Sequence, residues 1–532
     1  MRKKICAALA ALMLGAAGLP GSAAAADPGV QDSGAIFEGV LFHKGSPTAV
    51  LRDKDGSYLV TDALNKVIWR AESGKPPTVL VGRSGAKDQT GEAIGGYNDG
   101  SYAEAAFLSL WAITPFGGGY LVSDPDGGVI RWFGSGSVKT AAGSGQSELK
   151  DGRGVAAAFS NPTGLAADDD GNVYIADTGS HRIRRMDKDG NVTTAAGTGE
   201  SGGYADGPAE AAVFNAPTGL AWRGGALYIA DTGNHRIRMF ADGQVTTLAG
   251  AGYDQGSDAY YGGDYLDGPA GSARFSAPTG VAAGPDGTVY VSDTGNGAVR
   301  QIQSGQVTTV IKSDADAGDP FPVAPGGLLA DSAQRLLICD AFAGVVFSPP
   351  FTDTKGHWAK SDIDFAARQG LLTGTSMTEF SPDTAITRGM FITALGRFSG
   401  ADMSAYTTSG FSDVRAGAYY LPYVEWAAAH QIVSASGVGG GRFDPGRSVT
   451  REEMAVMMYN YANAARYALP VSPDSGAFAD GADISAWALD AVQAMRQAGI
   501  IGGKPGNLFD PKGGATRAEA AAILRRFLGL AA

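Results

Sequence analysis

Three stretches of this chain nearly coincide. NPTGLAADDDGNVYIADTGSHRIRRMDKDGNVTTAAGTG begins at Asn161, NAPTGLAWRGGALYIADTGNHRIRMFADGQVTTLAGAG at Asn215, and SAPTGVAAGPDGTVYVSDTGNGAVRQIQSGQVTTVI at Ser276. Looser copies flank them: LVTDALNKVIWR from Leu59, LVSDPDGGVIRW from Leu121 and LICDAFAGVVF from Leu337. The aligned aspartates are Asp62, Asp124, Asp177, Asp231, Asp293 and Asp340. Each unit is too small to bury its own faces, so it must stack on its neighbours. Each also reads as four short strands: GLAAD and NVYIAD are joined by a hairpin turn at DGN or GG, and the HRIRRM and VTTAAG segments follow. HRIRRM sets Ile183 opposite Arg182 and Arg184, the pattern of a half-buried strand. Six such units suit an all-β, six-bladed propeller. The Asp-Thr-Gly after the second strand reads as a turn, with Asp bonding nearby amides and Gly supplying a positive φ.

The sixth copy runs out after GVVFSPP without a clear outer strand, whereas SGAIFEGVLFHKG, Ser33 to Gly45, is a strand with no blade of its own. Pairing the two would close the ring and remove open sheet edges. On PTGLA, NVYIADTGSHRIRRM and LYIADTGNHRIRMF, the region from about residue 46 to about residue 348 resembles NHL-repeat propellers. That resemblance implies a fold and leaves the chemistry open, because such propellers include protein binders, ligand binders and a few lyases.

A chain of 532 residues accommodates two or more domains. It opens MRKKICAALAALMLGAAGLPGSAAAADPG, in which Arg2, Lys3 and Lys4 precede a short apolar run that ends in small residues. This reads as a secretory signal over residues 1–26 with cleavage near Ala26, and no later stretch is long and apolar enough to span a bilayer. Cys339, in the strand-like LLICDAF, is then the one remaining cysteine, expected as a buried thiol outside any internal disulfide. The formal charge of −12 becomes about −15 without the signal, and 16 Lys and Arg against 17 Asp and Glu from Phe351 onward place the acidity in the first part. Such a surface disfavours non-specific nucleic-acid binding, which needs cations to replace counterions.

Candidate chemistry within the propeller is sparse. His181 and His235 occupy equivalent places in neighbouring units, but Gly297 stands in the third, and metal sites need three or four converging ligands. We find no HExxH, no supported Ser-His-Asp arrangement and no phosphate-binding Gly loop. Three insertions, GSGQSELKDGRGVAAAF, GTGESGGYADGPAEAAVF and GAGYDQGSDAYYGGDYLDGPAGSARF, recur between units, with a fainter relative in GYNDGSYAEAAF. They are expected to crowd one face of the disc. The largest holds Asp254, Asp258, Asp264 and Asp267 together with Tyr253, Tyr260, Tyr261 and Tyr265. Its carboxylates are oxygen ligands of the kind calcium takes, although no EF-hand spacing is present. Its tyrosines suit stacking on a sugar or gripping a protein. An ordered loop without an ion is the third reading.

Past Pro349 the pattern turns helical and repeats three times. Thr387-Arg388, Thr450-Arg451 and Thr516-Arg517 recur about 65 residues apart, each after a polar loop: FSPDTAITR, FDPGRSVTREE and FDPKGGATRAE. Each unit reads as helix, loop, helix. Ala488, Val492, Met495 and Ala498 form one apolar stripe, and Ala520, Ile523 and Leu524 another. Thr516 with Glu519, and Thr450 with Glu453, spell a capping box, while the first copy has Met390 at the box position. The cap leaves the arginine unexplained, since a cation at the first helical position opposes the helix dipole. Two uses fit it: a salt bridge to the opposing unit, or a grip on an external anion.

These loops, with the Phe-x-Asp openings at Phe351, Phe411 and Phe478, are similar to S-layer homology domains over about residues 351 to 529. The resemblance implies a mainly α-helical, pseudo-three-fold bundle whose grooves bind secondary cell-wall polysaccharide, often pyruvylated. It maps binding onto Arg388, Arg451 and Arg517, onto Glu453 and Glu519, and onto Asp353, Asp413, Asp480, Trp358 and Trp487. Tyr419 and Tyr420 replace the tryptophan in the second unit, and SASGVGG departs from the usual Gly-rich loop. The expected organisation is a signal at 1–26, a propeller at 27–349 and S-layer homology domains at 350–400, 410–465 and 477–532. The expected function is a secreted protein anchored non-covalently on a Gram-positive wall, its propeller an outward-facing binding module that needs no cofactor. A tethered lyase or hydrolase, and a purely structural triplet, are the alternatives.

Overall fold

The computed structural model describes residues 40–43, 45–72, 76–83, 93–198, 201–251, 264–312, 324–331, 335–349, 351–376, 378–434, 440–472 and 476–531. The signal segment and Tyr253, Asp254, Asp258, Tyr260 and Tyr261 lie outside these residues. The chain divides into two compact units, Met1–Pro349 and Pro350–Ala532.

The first unit is a ring of six antiparallel sheets. Their first strands are Pro47–Arg52, Ile113–Phe116, Pro162–Ala167, Pro217–Arg223, Gly280–Ala283 and Pro325–Ala330, in blades 1 to 6. Each packs on the next, and the last packs on the first. Blade 6 takes its outer strand from the start of the chain: Val40–His43 pairs antiparallel with Val345–Phe347. Blades 2 to 5 are five-stranded rather than four-stranded. The extra strand is a two-residue segment of the preceding insertion, at Gly100–Ser101, Gly152–Arg153, Gly207–Pro208 and Gly268–Pro269, bound to the outer edge of the blade that follows. The insertion also ties back to the blade before it, as in Gly197 N–H to Ala209 O at 2.9 Å and Gly250 N–H to Ala270 O at 2.9 Å. The described parts of the insertions are therefore inter-blade clasps bound at the outer edge. A covered edge is also a poor template for further strand pairing.

The recurrent Pro-Thr segments and the threonines of the Asp-Thr-Gly turns form the ring's inner girdle. Thr218 Oγ1 donates to Thr279 O of the next blade at 3.0 Å, Thr232 Oγ1 to Pro278 O at 2.7 Å, and Thr48 Oγ1 to Leu110 O at 3.0 Å. The glycines permit this approach. A methyl group at Gly219 would sit 2.5 Å from Thr279 O, and equivalent collisions await Gly164, Gly280 and Gly327. Gly219→Ala is therefore expected to cost about 3 kcal/mol, because a backbone carbonyl in a packed girdle cannot retreat. Gly271→Ala, at an exposed site with open space and an ordinary φ, is the control and should stay within about 0.5 kcal/mol. Urea midpoints of the two variants check this.

The Asp-Thr-Gly turns differ in detail from the sequence expectation. The left-handed residue is the next-but-one, with φ of 55° at His181, 55° at His235 and 58° at Gly297. Gly179, Gly233 and Gly295 are instead required by space, because a Cβ there meets Ser160, Asn215 or Ser276. Each histidine also joins two blades: Nδ1 of His181 accepts from Ala216 N–H, and Nδ1 of His235 from Ala277 N–H, both at 2.9 Å. Cys339 is buried in the strand Leu336–Asp340, as expected.

The second unit contains six α-helices among the described residues: α1 Lys360–Arg368, α2 Arg388–Ser399, α3 Leu421–Ala429, α4 Arg451–Ala464, α5 Leu489–Gln497 and α6 Arg517–Ala531. The second helix of each repeat packs on the first helix of the next, α2 on α3, α4 on α5 and α6 on α1. The expected stripes, Ala488, Val492, Met495 and Ala498, and Ala520, Ile523 and Leu524, are buried in one continuous core. Three backbone bonds close a pseudo-three-fold knot: Ile386 N–H to Ala515 O at 2.9 Å, Val449 N–H to Ile386 O at 3.0 Å and Ala515 N–H to Val449 O at 3.0 Å. No helix among the described residues is long and apolar enough to cross a membrane.

Candidate functional site: the grooves of the helical triplet

The repeated Thr-Arg begins each second helix. Thr387, Thr450 and Thr516 are extended N-cap residues whose hydroxyls accept from the amides of Met390, Glu453 and Glu519 at 3.2, 3.3 and 3.1 Å. Glu453 and Glu519 return the bond to Thr450 N–H at 3.0 Å and Thr516 N–H at 2.9 Å, completing two capping boxes. Met390 cannot, so the first box stays open.

The arginine leans away from its own helix and into the next repeat. Arg388 Nε donates to Phe443 O at 3.0 Å, Arg451 Nε to Phe509 O at 2.6 Å and Arg517 Nε to Phe380 O at 2.8 Å. Each guanidinium also lies over the ring of that phenylalanine, at 4.8, 5.3 and 4.4 Å. The first amides of the helix follow it: Arg388 N–H bonds Arg447 O and Gly389 N–H bonds Pro445 O, both at 2.9 Å, and the other two repeats do the same. Orphan donors at the helix start, which normally need a cap or water, are thus spent on the neighbouring loop. The three arginines are only 5%, 4% and 3% exposed, so all three serve the contact between repeats.

Their charge partners differ. Arg388 Nη1 meets Glu453 at 3.0 Å, and Arg451 Nη1 meets Glu519 at 2.5 Å. Glu453 is shared with Arg447 at 2.6 Å. Burial pushes the Glu453 carboxyl up, but the bonds from Arg447, Thr450 N–H and Arg388 outweigh this and hold it below the usual range. Arg517 finds Met390 where the others find glutamate, and its second bond goes to Thr373 O at 2.5 Å. Burial depresses both Arg388 and Arg517. Glu453 opposes this at Arg388, while Asp353 and the Tyr419 phenol oppose it at Arg517.

The three opening aspartates are clasps within a repeat. Asp353 accepts from Phe380 and Ser381 N–H at 2.9 and 2.6 Å, Asp413 from Phe443 and Asp444 N–H at 2.8 Å each, and Asp480 from Phe509 and Asp510 N–H at 2.7 Å each. Burial pushes Asp413 and Asp480 up, but paired amides hold both below the ordinary carboxylate range. Trp358 and Trp487 remain 61% and 60% exposed, and Tyr419 is their counterpart at 57%. The sequence put Tyr419 and Tyr420 together in the tryptophan's place, and this exposure singles out Tyr419 as the equivalent residue.

In the propeller, the Asp264–Asp267 stretch of the largest insertion is structural. Asp267 pairs with the buried Arg300 and accepts from Thr309 N–H at 3.1 Å, Asp264 pairs with Arg274 at 3.0 Å, and Tyr265 bonds Thr309 Oγ1 at 2.5 Å. No group of three or more metal-ligating side chains converges among the described residues. The hairpin turns of blades 1 to 3 border a cavity of about 310 Å³ lined by Arg52, Asp53, Lys54, Phe116, Tyr120 and Asp168, with others.

Sequence comparison agrees with this architecture. The S-layer homology domain matches residues 350–390, 410–455 and 477–521, the NHL repeat residues 159–186, and the Teneurin NHL domain residues 223–303. The chain carries NHL repeats in a six-bladed propeller followed by three S-layer homology repeats. It is 35% identical over 186 residues to an amylopullulanase of Thermoanaerobacterium thermosulfurigenes, covering 34% of this chain and 10% of that protein. It is 35% identical over 192 residues to exoglucanase XynX of Acetivibrio thermocellus, covering 36% and 17%. It is 44% identical over 89 residues to NHL repeat-containing protein 2 of Gallus gallus, covering 16% and 12%. The chain thus spans only 10% to 17% of these relatives' lengths. Among solved structures, a streptogramin B lyase covers 58% of this chain and 95% of its own at 12% identity and a TM-score of 0.38. An auxiliary nutrient binding protein from Bacteroides thetaiotaomicron covers 57% and 69% at 13% identity and 0.40. Scores this low say nothing about activity.

Proposed function

We propose that this is a cell-surface protein held non-covalently on wall polysaccharide by its S-layer homology triplet, with the propeller as the binding module it presents. The observation that carries the reading is the set of three exposed aromatics. In a bundle whose other aromatic rings mostly join one core, Trp358, Tyr419 and Trp487 stay about three-fifths exposed at the same point of each repeat. Aromatic faces left wet at repeated positions suit stacking on sugar rings, whose C–H faces are apolar while their hydroxyls remain solvated. The buried arginines and the amide-bound aspartates shape the grooves beside them. For the propeller, the cavity bordered by blades 1 to 3 is the candidate ligand site. Sedimentation of the full chain with purified walls tests the anchoring. The wild type is expected in the pellet and Trp358→Ala/Trp487→Ala in the supernatant, with unchanged helical circular dichroism. A wild-type chain that stays in the supernatant would sink the reading.

A further inference from the structure

The first hairpins of the blades differ in length. In blades 1 and 3 the chain turns through Asp53–Ser57 and Asp168–Asn172, each closed by the same backbone bond, Asp53 N–H to Ser57 O at 2.8 Å and Asp168 N–H to Asn172 O at 2.9 Å. Blade 5 does likewise, with Gly284 N–H to Thr288 O at 2.8 Å. In blades 2 and 4 the turn is only two glycines, Gly117-Gly118 and Gly224-Gly225, all at positive φ. A short turn thus stands between two longer ones in both places, which leaves a notch.

In blade 4 the chain fills the notch itself. Trp222 lies flat on Tyr174 of blade 3, with ring centres 5.4 Å apart and planes within 10°, and its Nε1–H donates to Asp169 of the blade 3 turn at 3.0 Å. Blade 2 lacks both members of this pair. Register puts Pro115 where Trp222 stands: Pro115 pairs with Tyr120 and Trp222 with Leu227, each the second pair from its glycine turn. Turn position puts Lys54 of blade 1 where blade 3 has Asp169. What remains is the cavity of about 310 Å³. Ring surface is still supplied, by Phe116 and by Tyr120, which packs on Phe133 at 5.1 Å. The acids in the lining are already engaged. Asp53 accepts from the Tyr120 hydroxyl and the Lys54 amide, Asp168 from the amides of Asp170 and Asn172, and Asp169 from Trp222. The exposed Lys54 ammonium meets no carboxylate among the described residues, and Arg52 adds positive charge to the same wall.

We propose that this cavity binds a planar aromatic acid, its ring where Trp222 lies in blade 4 and its carboxylate on Lys54. The proposal rests on the reading of the cavity as the propeller's ligand site. The ring replaces the missing indole against Tyr120 and Phe116. The anion turns a solvated lysine into a charge-assisted donor. A neutral ring gains only the first contact, and an aliphatic acid only the second.

The probes are indole-3-carboxylate and its neutral counterpart indole-3-carboxamide, titrated against the full chain by ligand-observed NMR. The wild type is expected to bind the acid about tenfold more tightly than the amide, the worth of one hydrogen bond to a charged group. Lys54→Met should bring the acid down to the amide's affinity and leave the amide unchanged. Pro115→Trp, which restores the blade 4 filling at an exposed hairpin position, should abolish binding of both with the thermal midpoint of the propeller retained. A wild type that binds neither probe, or both equally, overturns the aromatic-acid assignment, as does a Lys54→Met chain that keeps the preference. That variant changes an exposed side chain, so it tests the assignment even if Pro115→Trp fails to fold. A folded Pro115→Trp chain that binds both probes like the wild type overturns instead the reading of this cavity as the ligand site.

Discussion

Replacing Arg451 by alanine is expected to destabilise the helical triplet by about 3–5 kcal/mol, the cost of removing one partner of a buried ion pair. The side chain donates to Phe509 O, Glu519 and Gly502 O, and it joins two repeats. Its loss strands the Glu519 carboxylate, 15% exposed, and two carbonyls. The described α-helices all lie in this unit, so helical circular dichroism of the full chain reports it directly. The expected result is an early loss of helical signal on heating. Arg451→Lys should recover little, since one ammonium cannot reproduce the planar fork. A thermal midpoint unchanged in Arg451→Ala would show the pair to be dispensable. The consequence for wall binding is practical. Loss of retention in this variant reports on folding first, which is why the exposed tryptophans are the cleaner probes of wall binding.

Arg238→Ala is the propeller's counterpart, with an expected cost again of about 3–5 kcal/mol. Arg238, fully buried, reaches Asp231 at 2.7 Å and Asp206 at 2.6 Å, and Val213 O and Ala205 O at 3.1 and 2.7 Å. Tyr204 and Phe214 sandwich it at 4.8 and 5.2 Å. Removing the guanidinium leaves Asp231 at 0% exposure; burial already pushes its carboxyl up against the pull of Arg238. Arg238→Met/Asp231→Asn should recover part of the loss, because the sandwich stays filled and the stranded charge is gone. Calorimetry on the full chain, with helical dichroism unaltered below the transition, separates this effect from the triplet. A double variant no more stable than Arg238→Ala would show that stranded charge is not the cause.

Arg238 also marks where sequence reading stopped. In HRIRRM the alternation correctly buries Ile183, but Arg184 on the opposite face is equally buried, as are Arg131, Arg238 and Arg300. A period-two pattern assigns arginine to water because a lone cation is costly to bury. Here each is neutralised by a strand aspartate and by the Asp-Gly of an insertion: Asp99, Asp151, Asp206 or Asp267. The signal was present in the matched recurrence of Arg and Asp-Gly. It had no meaning until the insertion was known to wrap the following blade, where Asp267 meets Arg300.

The sequence by itself determined what depends on neighbours within a few residues or on simple repetition. That includes the six blades, the three helical repeats, the threonine caps, the buried stripes of α5 and α6, and a spare first strand able to close the ring. Each follows from hydrogen bonding and burial at short range, which local pattern encodes. The tertiary structure decided which partners the arginines of both units meet. Arg451 meets Glu519 across 68 positions and Arg517 meets Phe380 across 137, distances over which no local period carries information. Whether a guanidinium is solvated, paired or bonded only to carbonyls depends on which carboxylate the neighbouring repeat brings to it. That neighbour is what separates Arg517 from Arg388 and Arg451, three residues that look alike in the chain.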